Sequence, residues 1–453
     1  MKRLILPIFA AMLLLSGCWQ TAAVSEPAIV PEPMFMVRKE GSYALSRQVS
    51  LAVSGLGQNS PTVKYIMKSL RHARMRPSLV ALSEGSDILL LLNDTLNSEL
   101  GDEGYLLEVR SDGVTLSANT EVGLFYAYQT FIQMLPPDAS STTYRSVMLP
   151  ECTILDRPRF DWRGLHINVS GTPMPVKSLK RVADLMAAYK MNRLCVDGGW
   201  WNADSLRWEV DSLASHSADD AAQFTNYAAL LGIQVLWDSL PPLSYDYNES
   251  LLRAREGTAT VLEPIDQWDL SLYQADPRYQ PQAYDGLATL AQVYRFDPLT
   301  SSHPNRPTHL RGLQCRLLTD CTHDIRLAEY MLLPRLLAVS ENLWATADKL
   351  NWPAFRKKVE VHKERLQVKG YNYCEGSFTP QFSATRVDDR TMRVAIQTEV
   401  PNTYIFYSLD SFPPTRQSAI YIAPLTLQRG TRIKILPVYK DIERDSIYEY
   451  VVK

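Results

Sequence analysis

The chain has 453 residues, of which 46% are hydrophobic, a composition typical of globular proteins and a length that allows two or more domains. Its formal net charge is −2 at pH 7, so the whole-chain charge supplies no field that would recruit nucleic acid or an anionic membrane surface. Binding of a polyanion is therefore excluded as the main role.

The first eighteen residues predict a bacterial lipoprotein signal. Two basic residues precede an apolar run over residues 4–15, and residues 15–18 read Leu-Ser-Gly-Cys, the pattern of a lipobox. We expect Cys18 to be lipidated and to become the mature N-terminus. The apolar run is shorter than the roughly 20 residues that span a bilayer, so we expect an anchored protein of the cell envelope, at the outer membrane. Residues 19–34 are rich in Ala, Pro and Val, which predicts a tether.

Residues 35–150 mix both kinds of secondary structure and predict an α+β domain. The spacing of apolar residues predicts three strands and two helices. The strands are expected at Ile88–Leu92, Gly104–Val109 and Val114–Ser117, and the helices at Pro61–Met75 and Val122–Met134.

Residues 151–374 predict a barrel built from strand and helix repeats. Leu165–Val169 is a short apolar strand, Val176–Tyr189 carries one apolar helical stripe, and Leu194–Val196 is a second strand. Further strands are expected near residues 234, 260 and 313, which gives about five or six of the eight that a closed barrel needs. Either irregular segments or a partner close the barrel, or the sheet stays open with its edges covered by loops.

Residues 375–453 contain short alternating runs separated by turn residues, such as Met392–Gln397, Tyr404–Ser408 and Arg432–Val438. This pattern predicts a small antiparallel β-sandwich. The predicted fold class is α/β, with an incomplete or irregular TIM-type barrel between an N-terminal α+β domain and a C-terminal β-sandwich.

Several long motifs in this order resemble glycoside hydrolase family 20, the β-N-acetylhexosaminidases. The matching text is Arg157–Phe160, Trp162–Leu165, Met186–Asn192, Arg311–Gln314, Glu329–Ala338 and Gly370–Tyr373. The resemblance implies a non-catalytic first domain and a barrel that cleaves terminal N-acetylhexosamine with retention, using the acetamido oxygen of the substrate as nucleophile. It also implies an adjacent Asp-Glu pair after two glycines at the end of the fourth strand, in which the Glu protonates the leaving oxygen.

The chain departs from this pattern at the positions that carry the chemistry. No Gly-Gly-Asp-Glu occurs between Trp201 and Arg311, and the pair Asp102-Glu103 lies in the first domain. The segment Ile233–Asp238 matches either the third or the sixth family strand. The sugar-gripping positions are also replaced, and they read Asn168, Gly171 and Thr172 after strand one, Cys195–Asp197 at strand two, Trp268–Ser271 at strand seven, and Leu318–Asp320 after the last strand.

The leading hypothesis is a degenerate family member that binds N-acetylhexosamine-containing glycans, or a partner protein, without hydrolysis. Five aromatic residues at or just beyond predicted strand ends are the candidate sugar-stacking residues, Trp200, Trp201, Trp237, Trp268 and Tyr273. The alternative for these residues is that they only fill the core of a shortened barrel.

The competing hypothesis is an active hexosaminidase with re-recruited carboxylates, for which Asp238 and Glu263 are the catalytic candidates. The other acids near strand ends are Asp197, Asp266 and Asp269, and the alternative for all five is a solvated loop charge. A third hypothesis is a purely structural envelope protein. The five cysteines after Cys18 show no zinc-ribbon spacing, and neither a metal nor a cofactor is predicted.

Overall fold

The computed structural model describes residues 20–22, 26–82, 85–139, 144–202, 207–210, 216–238, 243–244, 247–297, 309–322, 324–440, 442–443 and 447–453. For residues 20–22, 199–202, 207–210, 243–244, 247–248 and 442–443 only the backbone is described. The lipobox and Cys18 lie outside the described residues.

The first domain is a mixed sheet covered by two helices. The strands are β1 (Gln20–Ala22), β2 (Phe35–Ser46), β3 (Gln48–Ser54), β4 (Arg76–Leu79), β5 (Ile88–Leu92), β6 (Tyr105–Arg110), β7 (Gly113–Ala118) and β8 (Tyr144–Asp156), and the helices are α1 (Pro61–His72) and α2 (Glu121–Met134). The sheet order is β1-β8-β6-β7-β5-β3-β4, with β2 also paired to β8. Helix α1 begins where Ser60 accepts the Val63 N–H and Pro61 occupies the first turn, so the sequence itself fixes this end.

Residues 26–34 are a buried strap and not the predicted tether. Ile29 and Val30 are 2% and 0% exposed. Val30 donates its N–H to Gln133 Oε1 at 2.8 Å and accepts from Gln133 Nε2 at 2.9 Å. His362, on a helix of the second domain, bonds the Ala28 carbonyl at 2.9 Å. The prediction was wrong because Pro and Ala content indicates a lack of regular structure but does not indicate exposure.

The second domain alternates strands and helices. Its strands are β9 (Trp162–Asn168), β10 (Arg193–Asp197), β11 (Gly199–Asn202), β12 (Arg207–Val210), β13 (Gln234–Trp237), β14 (Leu243–Ser244), β15 (Thr260–Leu262), β16 (Leu272–Tyr273), β17 (Tyr284–Leu287) and β18 (Leu310–Leu318). Its helices are α3 (Val176–Ala188), α4 (Ala218–Ala229), α5 (Tyr247–Arg255), α6 (Ile265–Trp268), α7 (Leu290–Arg295), α8 (Ile325–Leu332), α9 (Arg335–Trp344) and α10 (Trp352–Val368).

The barrel sheet has six parallel strands in the order β13-β10-β9-β18-β15-β14. Its outer strands, β13 and β14, do not pair with each other within the described residues, so an open or irregular barrel is confirmed. Strand β13 lies directly beside β10, which places Ile233–Asp238 at the position of a third barrel strand.

Helix α3 packs on the barrel sheet through its apolar face. Its apolar stripe is buried, and β9 and β10 are buried along almost their whole length, as parallel strands covered on both faces are. One continuous hydrophobic cluster runs from the first domain through the barrel, and includes Leu107, Tyr126 and Leu165. No described helix combines the length and apolar composition needed to cross a membrane.

The third domain consists of two antiparallel sheets, as predicted. Its strands are β19 (Gln381–Arg386), β20 (Thr391–Gln397), β21 (Tyr404–Ser408), β22 (Ala419–Ile420), β23 (Leu425–Gln428), β24 (Arg432–Tyr439), β25 (Ile442–Glu443) and β26 (Tyr448–Val451). The sheets share a small core around Val394, Ile433 and Ile435. Glu399 joins this domain to the barrel by accepting the Ala291 N–H at 2.8 Å.

Candidate functional site

The carboxyl ends of the barrel strands bring three titratable side chains together. His166 lies on β9, Asp197 ends β10, and Glu263 directly follows β15. Strand residues alternate between two faces, so every second residue of β9 faces the interior of the barrel. The site therefore combines residues that are up to 97 positions apart in the sequence.

His166 is held between the two carboxylates. Its Nε2 lies 2.9 Å from Asp197 Oδ2, and its Nδ1 lies 3.0 Å from Glu263 Oε2. Asn168 donates to the other oxygen of Asp197 at 2.6 Å, and Gln314 donates to Glu263 at 2.5 Å. We call these five residues the His166 cluster. His166, Asp197 and Glu263 are 2%, 2% and 1% exposed.

The His166 cluster is an ion-pair network and not a poised acid. Burial alone would lower the pKa of His166, but the two carboxylates outweigh it and raise that pKa to about 10. Burial alone would raise the pKa of Glu263, but the charge of His166 and the hydrogen bonds from His166 and Gln314 lower it. Glu263 is therefore ionised at neutral pH, whereas a general acid must carry a proton.

A second ion pair fills the barrel beside β18. Arg316 donates to Asp269 Oδ2 from Nε at 2.9 Å and from Nη2 at 2.6 Å. The other oxygen of Asp269 accepts the Ser271 N–H at 2.9 Å, and Ser271 Oγ accepts the Leu318 N–H at 2.7 Å. Segment 269–271 thus lies against the end of β18 as an irregular strand.

The loops that follow β9 and β18 bind each other. The Thr172 N–H donates to Thr319 Oγ1 at 2.9 Å, and Thr319 Oγ1 donates to the Thr172 carbonyl at 2.9 Å. A Cβ at Gly171 would lie 2.3 Å from Asp320 Cα, so only glycine fits there. Tyr284 in turn hydrogen-bonds the Asp320 carboxylate. The loop after β9 therefore packs directly on the loop after β18.

The two predicted catalytic candidates are not brought together. Asp238 is exposed at the end of the outer strand β13 and has a φ of 44°, and its carboxylate accepts the Gly198 N–H at 3.3 Å. Strands β10, β9 and β18 lie between it and the strand that precedes Glu263. Of the other predicted acids, Asp197 joins the His166 cluster, while Asp266 is exposed on α6.

The predicted aromatic residues are dispersed. Trp268 is 1% exposed, donates its indole N–H to the Val293 carbonyl at 3.1 Å, and so is a core residue without a free face for a sugar. Trp237 is half-buried and donates to Thr225 on α4 at 2.9 Å. Tyr273 is half-buried on β16. The side chains of Trp200 and Trp201 lie outside the described residues; their backbone belongs to β11.

Sequence reasoning missed His166, Asn168 and Gln314. The available signal was the alternation of polar residues within two otherwise apolar strands, which places polar groups inside a barrel. Among the described residues no group of three or more His, Cys, Asp or Glu could hold a metal ion.

A cavity of about 650 Å³ lies at the opposite, amino end of the strands. It is lined by the starts of β9, β10 and β18, by Arg157 and Arg159, and by the Asp102-Glu103 pair. Glu103 accepts two hydrogen bonds of 2.8 Å from Arg163. The chain contains one Asp-Glu dipeptide, residues 102–103. Its Glu103 forms a structural ion pair with Arg163, which joins the first domain to the barrel.

Family models match most of the chain. Residues 26–157 match glycosyl hydrolase family 20, domain 2, and residues 160–242 and 243–347 match the family 20 catalytic domain. Residues 394–448 match the Fn3-associated model.

The chain is similar to curated β-hexosaminidases. It is 21% identical to that of Porphyromonas gingivalis, over 90% of this chain and 72% of that protein. It is 30% identical to that of Vibrio furnissii, over 41% of this chain and 28% of that protein.

Solved structures share the fold. The exo-β-N-acetylglucosaminidase of Vibrio harveyi superposes with a TM-score of 0.65 at 16% identity, over 78% of this chain and 79% of that chain. The β-N-acetylhexosaminidase of Streptomyces coelicolor superposes with a TM-score of 0.64 at 18% identity, over 77% of this chain and 97% of that chain. This chain matches two family 20 domain models and shares the fold of these structures, and together these findings establish that it belongs to glycoside hydrolase family 20.

Proposed function

We propose that this chain is a non-hydrolytic member of family 20 that binds N-acetylhexosamine-containing glycans. The observation that carries the proposal is the His166 cluster, in which Glu263, the buried one of the two catalytic candidates, is ionised and bonded on both oxygens. A hydrolase that uses the acetamido group of its substrate still needs a carboxylic acid to protonate the leaving oxygen.

The absence of an adjacent Asp-Glu pair from the barrel sequence supports the same proposal. The hydrogen bonds between the loops at Thr172 and Thr319 also support the proposal, because the family resemblance assigns the binding of sugar hydroxyls to these loops. Glycan binding is inferred from the relatives, since the Vibrio harveyi enzyme was solved in complex with N-acetylglucosamine. A site for such a glycan lies in this proposal on the carboxyl-end face of the barrel, near Tyr273 and Asp238.

The first test is release of the chromophore from an aryl N-acetyl-β-glucosaminide by residues 19–453. We expect no turnover by the wild type and by the variants Glu263→Gln and Asp238→Ala. The exposed Asp266→Asn variant serves as the charge-matched control. Turnover that disappears in Glu263→Gln or Asp238→Ala but survives in Asp266→Asn would establish the alternative, an active retaining glycosidase with a re-recruited acid.

Binding is tested separately by titrating N-acetylglucosamine and its β-1,4-linked disaccharide into the same protein by calorimetry. A measurable affinity without turnover is the expected result. No affinity for either sugar would favour a protein-binding or purely structural role.

We also propose that Cys18 carries lipid and holds the chain at the outer membrane. The lipobox at residues 15–18 supports this. Metabolic labelling with an alkyne fatty acid should mark the wild type and not Cys18→Ala, and Cys18→Ala should leave the membrane fraction. Equal labelling of the two chains would contradict the anchor.

A further inference from the structure

The small net charge of the chain conceals a strongly basic segment. Residues 41–83 contain six Lys and Arg residues and no Asp or Glu. Net charge is a sum over the whole surface, so it says nothing about a local concentration of one sign. The placement of these residues in the first domain therefore matters more than their number.

Five arginines come together at one end of the first sheet. The Arg47 N–H donates to the Arg145 carbonyl at 3.3 Å, and the Arg76 N–H donates to the Arg47 carbonyl at 2.6 Å, so Arg47, which lies between β2 and β3, is bonded through its backbone to an arginine of β8 and to one of β4. Arg47 also donates from Nη1 to the Arg74 carbonyl at 3.3 Å. Arg71 lies in the last turn of α1, one turn before Arg74. We call these residues the basic edge: Arg47, Arg71, Arg74, Arg76 and Arg145.

Most of the basic edge is accessible to solvent. Arg71, Arg74, Arg76 and Arg145 are exposed, and Arg47 is half-buried. Asp87 and Asp138, on neighbouring segments, are bonded within the first domain. Asp87 is bonded by Tyr43 and Ser50 at 2.5 Å each, and Asp138 accepts the Tyr144 hydroxyl at 3.1 Å. Four of the five arginines of this edge belong to residues 41–83, which contain no acid.

The same end of the sheet receives the N-terminal segment. Strand β1 pairs with β8 in a register that sets Gln20 opposite Tyr144, next to Arg145. Gln20 is two residues after Cys18, and two extended residues span about 7 Å. A lipid on Cys18 would therefore emerge beside the basic edge and not at the end of a long tether.

We propose that the basic edge is a docking surface for the anionic phospholipid headgroups of the membrane to which the chain is anchored. Arginine guanidinium groups bind phosphate oxygens in pairs, and a basic patch beside a lipid chain strengthens membrane attachment. The statement that the basic edge lies beside a lipidated terminus depends on the proposed lipidation of Cys18. The surface also fixes orientation, since the first domain faces the membrane.

The test uses unlipidated residues 19–453, so its outcome does not depend on whether Cys18 is modified. Co-sedimentation is measured with vesicles of phosphatidylethanolamine and phosphatidylglycerol, and with vesicles of phosphatidylcholine alone. We expect binding to the anionic vesicles at least about tenfold stronger than to the neutral ones, decreasing as salt is added.

The triple variant R74Q/R76Q/R145Q should lose about tenfold or more of the anionic binding. The matched control is R390Q/R393Q/R429Q, which removes the same charge from exposed arginines of the third domain. The control should bind as the wild type does, and thermal melting should show that all three proteins are folded. Equal loss in both triple variants, or no preference of the wild type for anionic vesicles, would overturn the proposal.

Discussion

His166 stabilises the barrel as a buried cation between Asp197 and Glu263. Neither carboxylate has solvent to hydrate it, so each depends on the imidazolium and on an amide, Asn168 or Gln314. Removing one partner of such a buried pair leaves uncompensated charge in a medium of low polarity. The residue that most constrains the barrel interior is therefore one that the family motifs did not indicate.

We predict that His166→Gln lowers the free energy of unfolding by about 3–5 kcal/mol at pH 7. The folded-state pKa of His166 is raised to about 10 from a value of about 6.5 in the unfolded chain. Its contribution is therefore fully present below about pH 6.5 and is lost as the pH rises through about 10. Urea unfolding with a reductant present measures this at pH 7 and pH 10. The difference in unfolding free energy between the wild type and His166→Gln should be smaller at pH 10.

His362→Gln is the matched control for this prediction. His362 is also buried, but burial lowers its pKa to about 3, so it is neutral throughout this range. Its effect on stability should be the same at pH 7 and pH 10. A His166→Gln effect that does not change with pH would show that His166 is not charged in the folded protein.

At the scale of elements, the strap of residues 26–34 joins the first domain to the helices around the barrel. Its Glu32 N–H donates to Glu341 Oε2 on α9 at 2.8 Å. Burial is the largest cause that raises the pKa of Glu341, to about 8. The protonated carboxyl is thus the favoured form in the fold, and stability is lost as the pH rises from about 4.5 to about 8.

We predict that Glu341→Gln stabilises the protein above neutral pH. The amide oxygen of Gln still accepts the Glu32 N–H and carries no charge to desolvate. The expected gain in unfolding free energy is about 4 kcal/mol at pH 8 and only about 1 kcal/mol at pH 5. Thermal melts of the two proteins at both pH values measure it, and a lower melting temperature for Glu341→Gln at pH 8 would contradict the assignment.

At the scale of the whole molecule, a second buried network holds the first domain against the barrel. Lys190 Nζ lies 2.9 Å from Asp156 Oδ2, and Tyr105 donates to the same oxygen at 2.5 Å. Trp344 donates its indole N–H to Asp156 Oδ1 at 2.9 Å. Lys190 and Asp156 are both 0% exposed, so the two domains share one charged centre.

We predict that Lys190→Met destabilises the protein by about 3–5 kcal/mol and loosens the contact between the domains, because the variant removes one partner of a buried ion pair. Limited proteolysis should then release a fragment cut near the start of the barrel earlier than in the wild type. The exposed Lys177→Met on α3 is the control and should be digested as slowly as the wild type. Identical digestion of all three proteins would mean that the network does not couple the domains.

Three features of the structure that the sequence patterns did not predict share one physical reason. Trp268 and Glu263 were judged by their position at strand ends, where barrel ligands bind, yet both are buried by segments that come from elsewhere in the chain. Residues 26–34 were judged by composition, whereas their burial depends on Gln133 and His362. Local sequence carries no information on partners that lie between 25 and 334 positions away, and those partners set solvation and charge.

Sequence patterns alone were enough to predict the family, the three domains in outline and the strands and helices with strong periodicity, because the periods of 2 and 3.6 residues follow from the backbone. The α3 stripe, strands β9 and β10 and the alternating strands of the third domain are examples. Three properties became visible only in the folded chain: the barrel sheet has six strands within the described residues, Asp238 and Glu263 lie apart, and His166 is a buried cation. These properties depend on which parallel strands are neighbours and on how far each charge is removed from water.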